Sequence, residues 1–135
     1  MIDPPLVAKK LAFIETCVRE LHELCQPERI GDDIRETRFA EHTLQIAIQA
    51  ALDVASHVIS SRRLGEPSTN RETFDLLADS GVVDPALAES LYAMAGFRNL
   101  LVHGYQEIDT TVVRQLVEDR LSDLLAFVNA IRAID

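Results

Sequence analysis

The sequence predicts an all-α protein, an antiparallel four-helix up-and-down bundle with one additional short helix, and three observations carry that reading. Apolar residues recur at three- and four-residue steps over long stretches, the period of a helix buried along one side. Hydrophobic residues reach 47% while aromatics stay at 5%, a balance that suits packed helices better than a sandwich or barrel. Gly and Pro are sparse, five of each in 135 residues, and most fall between the periodic stretches. One domain, residues 1–135, is expected, large enough to bury roughly two-thirds of the surface of its unfolded chain.

The first helix is expected from about Pro4 to Cys25, where Leu11, Ile14, Val18, Leu21 and Cys25 form one apolar face before Gln26-Pro27 ends it. After Gly31-Asp32-Asp33, a longer helix from about Ile34 to Ser61 turns Leu44, Ala47, Ile48, Ala51, Ala55, Val58 and Ile59 inward. Gly65-Glu66-Pro67-Ser68 breaks the chain. The capping-box spacing of Thr69-Asn70-Arg71-Glu72 then starts a short helix that Gly81 terminates near Ser80. Asp84-Pro85, a cap followed by proline at the first helical position, opens a helix running to about Val102, with Gly104 at its end. Asp109 caps a final helix whose stripe is Val113, Leu116, Val117, Leu121, Leu124, Leu125, Val128 and Ile131.

Charge and termini narrow the function. The formal net charge is −9, which excludes an extended nucleic-acid wrapper built on many phosphate contacts. A small cationic site inside an acidic body is still allowed, and eleven of the thirteen basic residues are Arg, the residue suited to forked contacts with phosphate or carboxylate. No apolar run approaches the ~20 residues of a membrane span, and the N-terminal stretch lacks the layout of a signal peptide, so a cytoplasmic protein without a membrane partner is expected. Cys17 and Cys25 would lie about 12 Å apart along one helix, too far for a disulfide, and read as free, buried thiols.

The fourth predicted helix carries Arg98, Asn99 and His103, with Tyr105 just beyond. At about 100° per residue, Ala93, Met94, Leu87, Leu91, Phe97, Leu100, Leu101 and Val102 fall on a core arc with Arg98 at its margin. A guanidinium there needs a carboxylate, backbone carbonyls or a bound phosphate. Tyr92, Gly96, Asn99 and His103 form a separate stripe, where the small residue would let a helix of a second copy approach. Arg98 and His103 diverge by about 140° on an unbroken helix. They would serve one site if the helix frays before Gly104, if symmetry-related copies share a groove, or both. Such a pair suits cleavage next to a ribose 2′-hydroxyl, the imidazole moving a proton and the Arg stabilising charge on phosphorus. By spacing alone, such a pair is more often an ion-pairing Arg and a helix-capping His.

On the second helix Arg35, Arg38, His42, Gln45, Gln49, Asp53, Ser56, His57 and Ser60 share roughly 100° of arc and suggest a partly buried polar seam, although a plain wet face fits the same residues. Asp53 is expected near Arg98, pairing with it or orienting the site, with His57 as a supporting group. His22 and His42 look peripheral. No His, Asp or Glu set has the paired spacing of a bundle metal site, and no metal or other cofactor is expected.

The string Arg98-Asn99-Leu100-Leu101-Val102-His103-Gly104-Tyr105 resembles the Arg-x4-His-x-Tyr signature of HEPN domains, and more narrowly the HepT-like toxins of HEPN–nucleotidyltransferase toxin–antitoxin pairs. Phe39 to Ser60, Phe74, Leu77, Gly81-Val82-Val83 and Met94-Ala95-Gly96-Phe97 also fit, so the resemblance covers most of the chain. It implies a homodimeric helical bundle, open to higher assembly, whose Arg and His residues line a shared cleft. The implied activity is that of a type VII toxin, a metal-independent endoribonuclease acting on RNA such as tRNA and leaving a 2′,3′-cyclic phosphate. By position, Arg98 would hold the phosphate, His103 would act as general base or acid, and Asn99 would support the site. Tyr105 matches the tyrosine to which a partner MNT-type nucleotidyltransferase antitoxin attaches AMP. The rival expectation is a non-catalytic partner that binds nucleotide or presents a substrate for that transferase.

Overall fold

The computed structural model describes residues 4–103 and 108–134, so Gly104 and Tyr105 lie outside the described residues. All regular structure within them is helical, with no strand: α1 (Pro4–Leu24), α2 (Ile34–Arg62), α3 (Asn70–Asp79), α4 (Pro85–His103), α5 (Thr110–Gln115) and α6 (Leu121–Arg132), plus a short 3-10 turn at Pro27–Arg29.

Local chemistry sets most helix ends. Asp33 accepts from the backbone N–H groups of Arg35 and Glu36 at 2.8 and 3.3 Å, satisfying donors that the first turn of α2 cannot. Thr69 accepts from Glu72 N–H at 3.1 Å, while the Glu72 carboxylate reaches back to Ser68 N–H at 2.8 Å, one residue earlier than in the usual reciprocal box. Asp84 and Asp109 cap the next two helices through Leu87 and Thr111 N–H groups at 2.8 and 2.9 Å. At the other end of α2, Arg63 adopts the left-handed conformation (φ 53°) and Leu64 N–H returns to Ile59 C=O at 3.0 Å. The helix therefore stops before the glycine expected to break it.

In the packing, α1 touches α2 and α6, and α4 touches the same two helices, so the four long helices enclose one core with α3 laid against α2 and α4. Ile14, Ala40, Ala47, Ala55, Val58, Leu77, Ala95, Val113, Leu124, Phe127 and Val128 are wholly buried. Arg114 locks the fifth helix to the α1–α2 connection by donating to the carbonyls of Pro27, Glu28 and Ile30 at 2.8–3.0 Å. Ser90 Oγ donates to Asp123, tying α4 to α6.

Two expectations need correction. The final helix is not uniform, because Leu116–Arg120 forms a π-helical turn between α5 and α6. Buried Val113, Val117 and Leu121 are spaced by four and four; on a regular α-helix those steps drift by about 80°, and the wider π turn returns them to one line. The core arc assigned to α4 is also too broad. Leu91, Met94 and Phe97 are buried and Leu87 and Leu101 half-buried, but Ala93, Leu100 and Val102 are exposed, Leu100 by 60%. That helix is apolar almost all round, so its composition alone does not pick the buried side.

Candidate active site

The candidate residues of α4 occupy its last turn and a half. Arg98 is half-buried. Its Nη1 donates to Asn99 Oδ1 at 3.2 Å, and its Nε is buried without an acceptor among the described residues. Arg29, Arg38, Arg71, Arg120 and Arg132 each hold a carboxylate, whereas Arg98 has no ion-pair partner among the described residues. Asn99 and His103 are exposed.

The helix remains regular through His103, so fraying does not bring His103 round to Arg98. The two side chains leave one chain in directions about 140° apart. Ala93, Gly96, Leu100 and His103 instead make an exposed stripe on α4. A Cβ placed on Gly96 would meet no atom within 4 Å, so packing inside the chain does not require this glycine. Further down the helix, half-buried Tyr92 carries the Arg71 guanidinium 3.9 Å above its ring, and Arg71 also pairs with Glu89 at 2.7 Å, fastening α3 to α4.

Asp53 is not joined to Arg98 within the chain. It accepts from Lys10 Nζ at 3.3 Å and from Gln49 Nε2 at 2.8 Å, because this part of α2 faces α1 rather than α4. The expected polar seam splits accordingly: Gln45, Gln49, Asp53 and His57 are half-buried, while Arg35, Arg38, His42, Ser56 and Ser60 are exposed. The sequence reading missed Lys10 as the partner of Asp53; nothing local announces a pair separated by 43 positions.

Both cysteines are free and buried, and burial pushes each thiol up to about 11, helped at Cys25 by the Glu36 carboxylate. Neither serves as a ready nucleophile. Among the described residues no three His, Cys, Asp or Glu side chains converge to hold a metal ion, and no helix is long and apolar enough to cross a membrane.

The helical fold, with an Arg and a His five positions apart at the end of one helix, defines a HEPN-type domain. A family model described as ribonuclease HepT-like matches residues 14–131, and the chain belongs to that family. The mRNA nuclease HepT of Shewanella oneidensis is 29% identical over 129 residues, covering 95% of this chain and 97% of the relative. The tRNA nuclease HepT of Aphanizomenon flos-aquae is 30% identical over 137 residues, covering 98% and 91%. Among solved structures, the tri-AMPylated HEPN toxin of Shewanella oneidensis in complex with MNT antitoxin matches with a TM-score of 0.89 at 29% identity, over 99% of this chain and 100% of that one.

Proposed function

We propose that this protein is a metal-independent endoribonuclease toxin of a type VII toxin–antitoxin pair, built as one HEPN-like domain and working as a homodimer. The observation that carries the reading is Arg98: a half-buried guanidinium with an unsatisfied Nε and no carboxylate partner among the described residues, five positions before an exposed His103. A buried donor without a partner is costly, and an RNA phosphate supplies acceptors of the right charge.

Two copies meeting along the Ala93–Gly96–Leu100–His103 stripe would line one cleft with two His103 side chains, whereas Arg98 leaves α4 about 180° from the middle of that stripe and would join the cleft only by reaching round the end of the helix. Gly96 costs about 1 kcal/mol relative to Ala in an exposed helix, a cost that close approach by a second helix would offset. In the cleft, His103 takes the proton from a ribose 2′-hydroxyl, whose oxygen attacks the adjacent phosphorus. The bond to the 5′-oxygen breaks, that oxygen is protonated, and a 2′,3′-cyclic phosphate and a 5′-hydroxyl result. Arg98 stabilises the charge gathering on the phosphoryl oxygens, and Asn99, already hydrogen-bonded to Arg98, orients it. Asp53 and His57 support the site only through the fold or from a second copy.

The likeness to an AMPylated toxin bound to its MNT antitoxin supports silencing by a cognate nucleotidyltransferase that adds AMP to Tyr105, bringing bulk and negative charge two positions along the chain from His103. Purified unmodified protein with total RNA or tRNA in EDTA tests the nuclease: Arg98→Ala and His103→Ala should each abolish cleavage, and full activity in His103→Ala would refute the mechanism. No cleavage by the unmodified wild type would favour the non-catalytic, substrate-presenting role. After co-expression with the transferase, mass spectrometry should place AMP on Tyr105; inhibition without that adduct would mean steric blocking instead.

A further inference from the structure

The α4 stripe leaves another exposed apolar face unexplained. On α1, Leu6 is 41%, Phe13 42% and Leu24 63% exposed. Taking Phe13 as zero, Leu6, Leu24 and Glu20 lie within about 20° of it and Lys9 within about 40°, so one line runs along the helix. Beside it, Leu6, Phe13, Ile46 and Ala50 line an open groove of about 480 Å³ between α1 and α2.

The charges on this line are ordered. Lys9 stands at its N-terminal end, with Lys10 about 60° to one side, and Glu20 stands toward its C-terminal end, with Glu23 about 80° to the other side. Lys10 is engaged with Asp53, whereas neither Lys9 nor Glu20 has an ion-pair partner among the described residues. A parallel copy of α1 would set Lys against Lys and Glu against Glu. An antiparallel copy, turned about a two-fold axis near Glu15, sets Lys9 against Glu20 and Leu6 against Leu24 on both sides at once, with the Phe13 rings near the middle.

We propose that this face of α1 is a second self-association surface, occupied by α1 of another copy in that antiparallel register. Because α1 and α4 each pack on α2 and α6, they occupy opposite corners of the fold, and the two faces do not compete. Resting on the α4 dimer proposed above, the α1 contact joins dimers into assemblies with an even number of copies greater than two.

Native mass spectrometry and sedimentation of the full chain, free of its transferase, test this. Wild type should exceed a dimer. Phe13→Glu, Lys9→Glu and Glu20→Lys should each reduce it to a dimer, and the double variant Lys9→Glu/Glu20→Lys should restore the larger mass. Circular dichroism checks that each variant is folded. Wild type no larger than a dimer and insensitive to Phe13→Glu, or a double variant no better than its parents, would overturn the proposal. Leu100→Glu separates the two readings: no effect there, with Phe13→Glu still halving the mass, would sink the α4 dimer and leave the α1 contact standing.

Discussion

Arg98→Met should make the isolated protein more stable while removing its activity. The buried Nε, without an acceptor among the described residues, is the source of the first effect, because an unsatisfied buried donor costs about 1–3 kcal/mol. Methionine keeps an unbranched stem of similar reach and has no donor to satisfy. Against this stands the loss of the Arg98–Asn99 hydrogen bond, an exposed contact between adjacent residues at 3.2 Å, worth a few tenths to about 1 kcal/mol. The balance favours the variant by about 1 kcal/mol, which for a chain of this length raises Tm by about 3–5 °C. Catalysis moves the other way. Each charge-assisted bond from a guanidinium to phosphate is worth about 1.5–3 kcal/mol, so losing a forked pair lowers cleavage by at least about 100-fold. Calorimetry at matched protein concentration, alongside RNA cleavage in EDTA, reads both quantities. A Tm lowered by a few degrees would refute the reasoning, since it would mean that Nε is already satisfied in the assembled protein before RNA arrives.

Other outcomes follow from the same geometry. Phe127→Ala, at a wholly buried ring, should cost about 3–5 kcal/mol by denaturant titration, and a loss below about 1 kcal/mol would contradict its place in the core. With thiols raised to about 11, Cys17 and Cys25 should resist alkylation at neutral pH in the native protein and react promptly in denaturant; rapid native labelling would overturn their burial. Backbone N–H groups of Glu36 and Arg35 hold the Asp33 carboxyl below its usual range, and the Arg132 hydrogen bond does the same for Glu15 against a small opposing effect of burial. Both groups have folded pKa values below unfolded ones, so their stabilisation is present above about pH 4 and is lost as pH falls through the depressed values. Tm should stay level from neutral pH to about pH 5 and drop below about pH 4, less steeply in Asp33→Asn/Glu15→Gln, where the Asn still caps the helix. An unchanged acid slope in that variant would assign the drop to other carboxylates.

Helix starts were legible because capping acts within a few residues: Asp33, Thr69, Asp84 and Asp109 each accept from N–H groups two or three positions ahead. The inward face of α2 was legible because that helix alternates apolar and polar sides, and its assigned core residues from Leu44 to Ile59 are buried. The uniformly apolar α4 was not, and Leu100 and Val102 were taken as core although they face outward. The π turn leaves only the spacing of Val113, Val117 and Leu121 as a trace, since the choice between a drifting stripe and a wider turn is made by what α6 packs against.

The order of chemical groups along the chain, Arg98-Asn99 followed by His103 and Tyr105, and the helical segments that carry them are properties of the sequence itself, because propensity, capping and motif spacing are local. Tertiary packing alone decided that Asp53 belongs to Lys10, that Arg98 keeps a buried nitrogen without an acceptor among the described residues, and that a regular helix through His103 points the two candidate catalytic side chains apart. Those outcomes depend on which face each helix turns to a neighbour dozens of residues away, and local periodicity cannot choose between faces that are equally apolar or equally polar.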